Sequence, residues 1–239
     1  MTGDSILKEG LRVLEVESAA IARLIATLDH RFIEAVELCY STAGRIVVIG
    51  MGKSGIIGKK IAATLASTGT PAFFLHPAEA IHGDLGMVGK DDLIILLSYS
   101  GETEEVLKLV PALKRLNLTI ITLTGSVKSS LAQMSNLVLD VAVSEEACPL
   151  GLAPTASTTA SLAMGDALAI ALLSKRGFKK EDFASFHPGG TLGRNLLLKV
   201  CDVMHKGKLI PVVKESALMH EAILEMTSKK LGMTPLVSE

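Results

Sequence analysis

The run RIVVIGMGKSG, residues 45–55, decides the fold. Ile46 to Ile49 form an apolar stretch with no polar face, as expected of a strand buried on both sides, and it passes directly into Gly50-Met51-Gly52-Lys53-Ser54-Gly55 before a helical pattern begins. Glycines at a strand-to-helix turn let backbone amides approach an anion, and the helix start adds partial positive charge. The same glycine pattern serves dinucleotide-binding turns, although a lysine lies inside this loop. Taken alone, the turn is also compatible with a tight connection that binds nothing.

Working outward, the pattern repeats. Strand-like apolar stretches recur at PAFFL (71–75), DLIILLS (92–98), LTIITL (118–123) and NLVLDV (136–141), with helical patterns between them. Strands apolar on both faces, each followed by a helix, predict a parallel sheet covered on both sides. The expected class is α/β: a doubly wound, five-stranded parallel sheet flanked by helices, in the flavodoxin-like order. Upstream, Ile6, Val13, Val16, Ala20, Leu24 and Leu28 share one stripe, which predicts an amphipathic helix over 5–29, and a second helix is expected at about 31–41. Downstream, 154–175 reads as a long helix that opens with the hydroxyl-rich TASTTAS and ends before Gly177. After a first domain over 1–200, the segment 201–239 reads as short strand, helix, short strand, a fragment of a further domain.

A chain of 239 residues holds one domain of ordinary size with some tens of residues left over. Aromatic residues make up only 3% and tryptophan is absent, so the core must be built from Ala, Val, Ile and Leu, which suits helices packed closely on a sheet. A formal net charge of -1, with both signs interspersed, leaves no polyanion-binding face, and nucleic acid is not an expected partner. The start MTGDSILKEGLRV carries charges where an export signal needs an apolar stretch, and the most apolar later segment contains Asp166, so neither a signal nor a membrane span is expected. Cys39, Cys148 and Cys201 are widely spaced and lack CxxC spacing, which fits reduced structural thiols in a cytoplasm.

A second turn follows the third strand. Ser98-Tyr99-Ser100-Gly101-Glu102-Thr103 places three hydroxyls around one glycine at a helix start, a composition that can donate to all the free oxygens of a phosphate monoester. Ordinary capping explains one of these hydroxyls easily and three poorly. In a doubly wound sheet both turns fall at the carboxyl ends of the strands, where ligands bind.

These two turns and the alternating strands resemble the sugar isomerase, or SIS, domain. More narrowly, TGTPAFFLHPAEAIHGDLGMV, EEACPLGLAPTASTTASLAMGDALA and SFHPGGTLGR closely resemble the D-arabinose 5-phosphate isomerases over roughly residues 5–200. CDVMHKGKLIPVV and LGMTPLV resemble the start of the first CBS domain that follows in that family, here about half of one module. The resemblance leads us to expect asparagine where Tyr99 stands. The resemblance implies interconversion of D-arabinose 5-phosphate and D-ribulose 5-phosphate, the entry to the Kdo sugar of Gram-negative lipopolysaccharide, in a cytoplasmic enzyme.

Aldose–ketose isomerisation moves a proton between C1 and C2 through an enediolate and so needs a base, a group for the developing negative charge and a phosphate anchor. The resemblance places the family's functional positions at Lys53, His82, Glu105, Glu146 and His187. Lys53 is expected to offset phosphate or enediolate charge, and Glu146 to take the C2 proton. Glu105 follows the second turn, where a carboxylate also suits a helix start. His187, aimed by Pro188-Gly189-Gly190, is expected to serve ring opening or proton transfer at the sugar oxygens, in its own site or in a neighbouring subunit's. Substrate contacts are expected from Gly52, Ser54, Gly69, Thr70, His82, Ser98, Ser100, Gly101 and Thr103. No cofactor is required by this chemistry, and His76 is a candidate for an adventitious or inhibitory divalent metal such as zinc. The expected partner is a small pentose phosphate, and the expected assembly a homotetramer, because the first helix and the long hydroxyl-rich helix offer more apolar surface than one sheet can cover. Two other readings fit the same residues: a non-catalytic phosphosugar-binding regulator, which would not need Glu146 and His187, and a paralogous isomerase of a sugar-alcohol pathway.

Overall fold

The computed structural model describes residues 2–186 and 199–238. By backbone proximity the chain divides into two compact units, Met1–Phe183 and Ala184–Glu239.

The first unit opens with α1 (Gly3–Thr27), capped by Thr2, and α2 (His30–Ser41), capped by Asp29, whose carboxylate accepts the Arg31 amide at 2.9 Å. Five strands follow: β1 (Ile46–Gly50), β2 (Ala72–Leu75), β3 (Leu93–Leu97), β4 (Thr119–Thr124) and β5 (Leu137–Asp140). They form one sheet in the order β2-β1-β3-β4-β5, every pair parallel, so the expected doubly wound sheet is found. Between them lie α3 (Gly52–Ser67), α4 (Pro77–Ile81), α5 (Glu104–Leu107), α6 (Val110–Arg115) and α7 (Ser130–Met134), and after them α8 (Ala156–Lys175); α9 (Lys180–Phe186) runs across the division at Phe183.

Strand alternation builds two cores. Ile46, Val48, Ile95 and Leu97 point into the layer formed with α2, α3 and α8, whereas Val47, Ile49, Ile94 and Leu96 point into the layer formed with α4 to α7. Helices approach closely because the contact residues are small. A Cβ built on Gly165 of α8 would lie 2.4 Å from Ile61 of α3, so glycine there sets the distance between these two helices. Helix α8 is long and apolar enough to cross a membrane by length and composition alone, yet Ala160, Met164, Leu168, Ala169 and Leu172 are buried in the first core. Its apolar character is that of a core helix.

The predicted stripe on α1 is only partly covered. Ala20 and Leu24 are buried, but Ile6 is 60% exposed and Leu28 47%, because α8 covers only part of α1.

In the second unit, β6 (Val213–Lys214) and β7 (Leu236–Val237) pair in parallel on either side of the helix Met219–Ser228, the strand–helix–strand pattern read from the sequence. The sequence boundary at residue 200 falls inside this unit.

Candidate active site

The direction of the strand order changes at β1: β2 lies on one side of it and β3 on the other. Gly50 pairs with Leu97, so the turn after β1 and the turn after β3 leave the sheet side by side, at the crevice where doubly wound folds bind ligands.

In the first turn Gly52 has φ +58, a left-handed conformation that opens α3 directly after Met51. Among the described residues no side chain caps α3, which leaves its first amides for an outside acceptor. Lys53 is exposed beside them and Ser54 half-buried. In the second turn Gly101 has φ +69, and a Cβ there would fall 1.9 Å from Ser129 Oγ.

Lys53 and Ser54 line a cavity of about 260 Å³ together with Ile57, Tyr99, Glu146, Gly151, Leu152, Pro154, Ser157, Thr158 and Ser161. The first turn, the residue at the heart of the second turn and the start of α8 thus meet at one place. The Tyr99 hydroxyl accepts the Val143 amide at 3.1 Å, which ties the second turn to the irregular segment that carries Glu146. Helix α1 braces that segment from outside: Arg12 donates to the Ala147 carbonyl, and Glu17 accepts the Thr159 hydroxyl at 3.0 Å. Amides of Ala153, Leu152 and Leu150 turn toward Cys148 and hold its thiol below the ordinary value, so this segment curls on itself beside the cavity.

Glu146 is the most strongly held of these groups. Its Oε2 accepts the Thr155 amide at 2.7 Å, the Thr155 hydroxyl at 2.9 Å and the Ser157 amide at 3.3 Å. Burial pushes this carboxyl upward, but the Ser157 hydroxyl, the Thr155 amide and hydroxyl and the Ser157 amide together hold it below the ordinary carboxylate range. Glu146 is therefore ionised at neutral pH.

Other expected residues fall elsewhere. Ser98 is 2% exposed, and its hydroxyl accepts the Gly101 amide at 3.1 Å and shares a hydrogen bond with Thr103 Oγ1 at 2.8 Å. In this structure the Ser98 hydroxyl holds the turn in shape. Ser100 is exposed, its oxygen accepting the Glu102 amide at 3.2 Å, and neither serine lines the cavity. Gly69 and Thr70 lie at a different place from the cavity. They precede β2, and Pro71 between them and the strand accepts the amide of Ile46 at the start of β1, so both sit at the amino ends of the strands, opposite the cavity. Thr70 is 1% exposed and its hydroxyl accepts Arg176 Nε at 3.1 Å, while Gly69 packs on Phe178.

Glu105 is half-buried in the first turn of α5, and His82 is exposed at the end of α4; neither lines the cavity. His76 follows β2, stacks edge-on with Phe74 and has a buried Nδ1 without a hydrogen-bond partner among the described residues. Among the described residues no group of three or more His, Cys, Asp and Glu side chains gathers as a metal site, at His76 or elsewhere. His187 lies outside the described residues.

The sequence reading missed Ser157, Thr158 and Ser161 as cavity residues, and Thr155 as a hydrogen-bond partner of Glu146. Their signal was visible, since the hydroxyl run TASTTAS opens a helix nine residues after an acidic one.

Residues 40–171 match the model of the SIS domain family. The chain is 56% identical over 228 residues to the arabinose 5-phosphate isomerase KdsD of Pseudomonas aeruginosa, covering 95% of this chain and 70% of that protein. To the enzyme of the same name from Escherichia coli strain K12 it is 53% identical over 237 residues, 99% of this chain and 72% of the other. Among solved structures, an Escherichia coli CFT073 protein in complex with arabinose 5-phosphate superposes with a TM-score of 0.77 at 44% identity, over 79% of this chain and all of that one. The sheet order, the two turns at its switch point and these likenesses together make the chain a member of the SIS domain family, within the arabinose 5-phosphate isomerases.

Proposed function

We propose that this chain interconverts D-arabinose 5-phosphate and D-ribulose 5-phosphate through an enediolate. The observation that carries the reading is a held, ionised carboxylate, Glu146, and an ammonium, Lys53, facing one cavity at the sheet's switch point. The relatives that bear this activity by name, and the arabinose 5-phosphate complex of a similar protein, support the choice of substrate.

In this mechanism Glu146 takes the C2 proton of the open-chain aldose. The C–H electron pair forms the C1=C2 bond and the carbonyl pair moves onto O1, where Lys53 offsets the charge. The carboxylic acid then returns its proton to C1 while the O2 pair forms the new carbonyl and the O2 proton passes to O1. His187 is assigned to ring opening and to that oxygen-to-oxygen transfer. The phosphate is assigned to the α3 amides, Ser100 and Thr103, with His82 and Glu105 near the sugar and no cofactor required. Incubation with D-ribulose 5-phosphate should yield D-arabinose 5-phosphate by NMR, and an unchanged ketose would reject the reading.

The biological setting that fits is a reducing cytoplasm, where the three cysteines stay unpaired, and supply of the Kdo sugar of lipopolysaccharide. Residues 201–239 are assigned to the start of a CBS domain, in keeping with their strand–helix–strand pairing. The assembly we propose is a homotetramer. Leu7, Leu14 and Ile25 on α1 are 65%, 66% and 75% exposed, and Ile21, Ile25, Leu28, Ala163 and Ala167 line a wholly apolar cleft between α1 and α8. Sedimentation at micromolar protein should report four copies, and a monomer would contradict the assignment.

A further inference from the structure

We propose that Thr155 is a positioning residue: its hydroxyl, fixed by the Ala147 amide, locks Oε2 of Glu146 and leaves Oε1 as the oxygen that moves the substrate proton. The inference rests on the reading of Glu146 as the base.

Thr155 is the residue before the first turn of α8, where a threonine normally turns its hydroxyl oxygen onto an amide of its own helix. Here it makes no such bond. The hydroxyl oxygen accepts the Ala147 amide at 2.8 Å, and its proton is donated to Glu146 Oε2 at 2.9 Å. Glu146 itself supplies the acceptor that the helix start requires, since the same Oε2 takes the Thr155 and Ser157 amides.

The result is a closed ring. Ala147 follows Glu146 in the chain, so one hydroxyl grips both the backbone beside the glutamate and the end of its side chain. A hydroxyl has one proton, and with the Ala147 amide occupying a lone pair that proton is directed at the carboxylate. Three bonds of fixed geometry converge on Oε2 and none of the three falls on Oε1. An oxygen carrying three donors is a poor base, whereas its geminal partner meets at most one further donor, the Ser157 hydroxyl that also bonds this carboxylate. Glu146 also lines the cavity with Lys53, so the anchored carboxylate belongs to the pocket in which the sugar would lie. A cap that merely stabilised α8 would need neither the detour through Ala147 nor a carboxylate in place of the threonine's own oxygen.

The test compares Thr155→Val, which keeps the shape and the backbone amide but removes the hydroxyl, with Thr155→Ser, which keeps the hydroxyl. At saturating ribulose 5-phosphate, Thr155→Val should lower kcat about 10- to 100-fold with KM nearly unchanged. The acid limb of its kcat profile should move to higher pH, because a donor favouring the ionised carboxyl is gone. Thr155→Ser should recover both kcat and the limb. If Thr155→Val fails to fold, Thr155→Ala carries the same test. A hydroxyl-free variant with a lower melting temperature but wild-type kcat and pH profile would reduce Thr155 to a structural cap and overturn the inference. Glu146→Gln separates the two failures: if it stays active the base assignment falls, whereas an inactive Glu146→Gln beside a fully active Thr155→Val removes the positioning role alone.

Discussion

Glu146→Gln is expected to lower kcat by roughly 1,000-fold while leaving KM for the sugar phosphate nearly unchanged. The side chain keeps its length and one carbonyl oxygen, which still accepts the Thr155 and Ser157 amides that Oε2 accepts now, so the start of α8 stays capped. What disappears is basicity. The substrate should therefore bind, but neither turnover nor exchange of the C2 proton with solvent should occur. In the native protein the donors hold this carboxyl below its ordinary range, so its charge is kept well into mildly acidic conditions. The linkage has a definite sign. A carboxyl whose folded pKa lies below its unfolded value of about 4.3 stabilises the fold above that pH, and the contribution is lost as pH falls through the lower folded value. Activity and part of the stability should fail together at the acid end. Steady-state kinetics and deuterium incorporation into arabinose 5-phosphate measure the first effect, and undiminished exchange in Glu146→Gln would place the base elsewhere.

Lys53→Met should be nearly as damaging, lowering kcat/KM by about 100- to 1,000-fold. Lys53 is the second residue of α3, exposed, with its charge at the positive end of a helix of 16 residues. A cation there is disfavoured by the helix dipole, by about 0.3–1 kcal/mol for an exposed site. Methionine relieves that cost, so the variant should melt at the same temperature as the parent or slightly above it while losing activity. The division between constants identifies the role. A fall in kcat marks stabilisation of the enediolate, and a rise in KM alone marks an anchor for the phosphate. A variant with parental values for both would remove Lys53 from the chemistry.

The sheet was legible because its information is local. Five runs apolar on both faces, separated by helix-length segments, leave few arrangements other than a covered parallel sheet, and the glycines at 50, 52 and 55 mark where the first strand must turn. Lys53 and Glu146 were singled out through a resemblance of strings, and the fold brings both to one cavity. The direction of a hydroxyl is not written locally. Ser98 looked like a donor for phosphate, yet its side chain turns inward to hold Gly101 and Thr103, because a buried hydroxyl at the end of a central strand must find partners within the turn. Gly69 and Thr70 belong to a string that resembles the isomerases as a whole, but they precede β2 instead of following it, so the polarity of the strand puts them at the opposite edge. Thr155 escaped notice for a related reason: its link to Glu146 spans nine residues of irregular chain and depends on how that segment closes. Of the predicted α1 stripe only Ala20 and Leu24 are buried, since a periodic pattern shows that a face will be covered without showing by what.

The central claim is that Glu146 and Lys53 move a proton between adjacent carbons of a pentose phosphate held at the sheet's switch point. Proton NMR of D-ribulose 5-phosphate incubated with the protein in heavy water tests it most directly. The prediction is D-arabinose 5-phosphate formed by the parent and not by Glu146→Gln; an unconverted ketose, or equal conversion by Glu146→Gln, would contradict it.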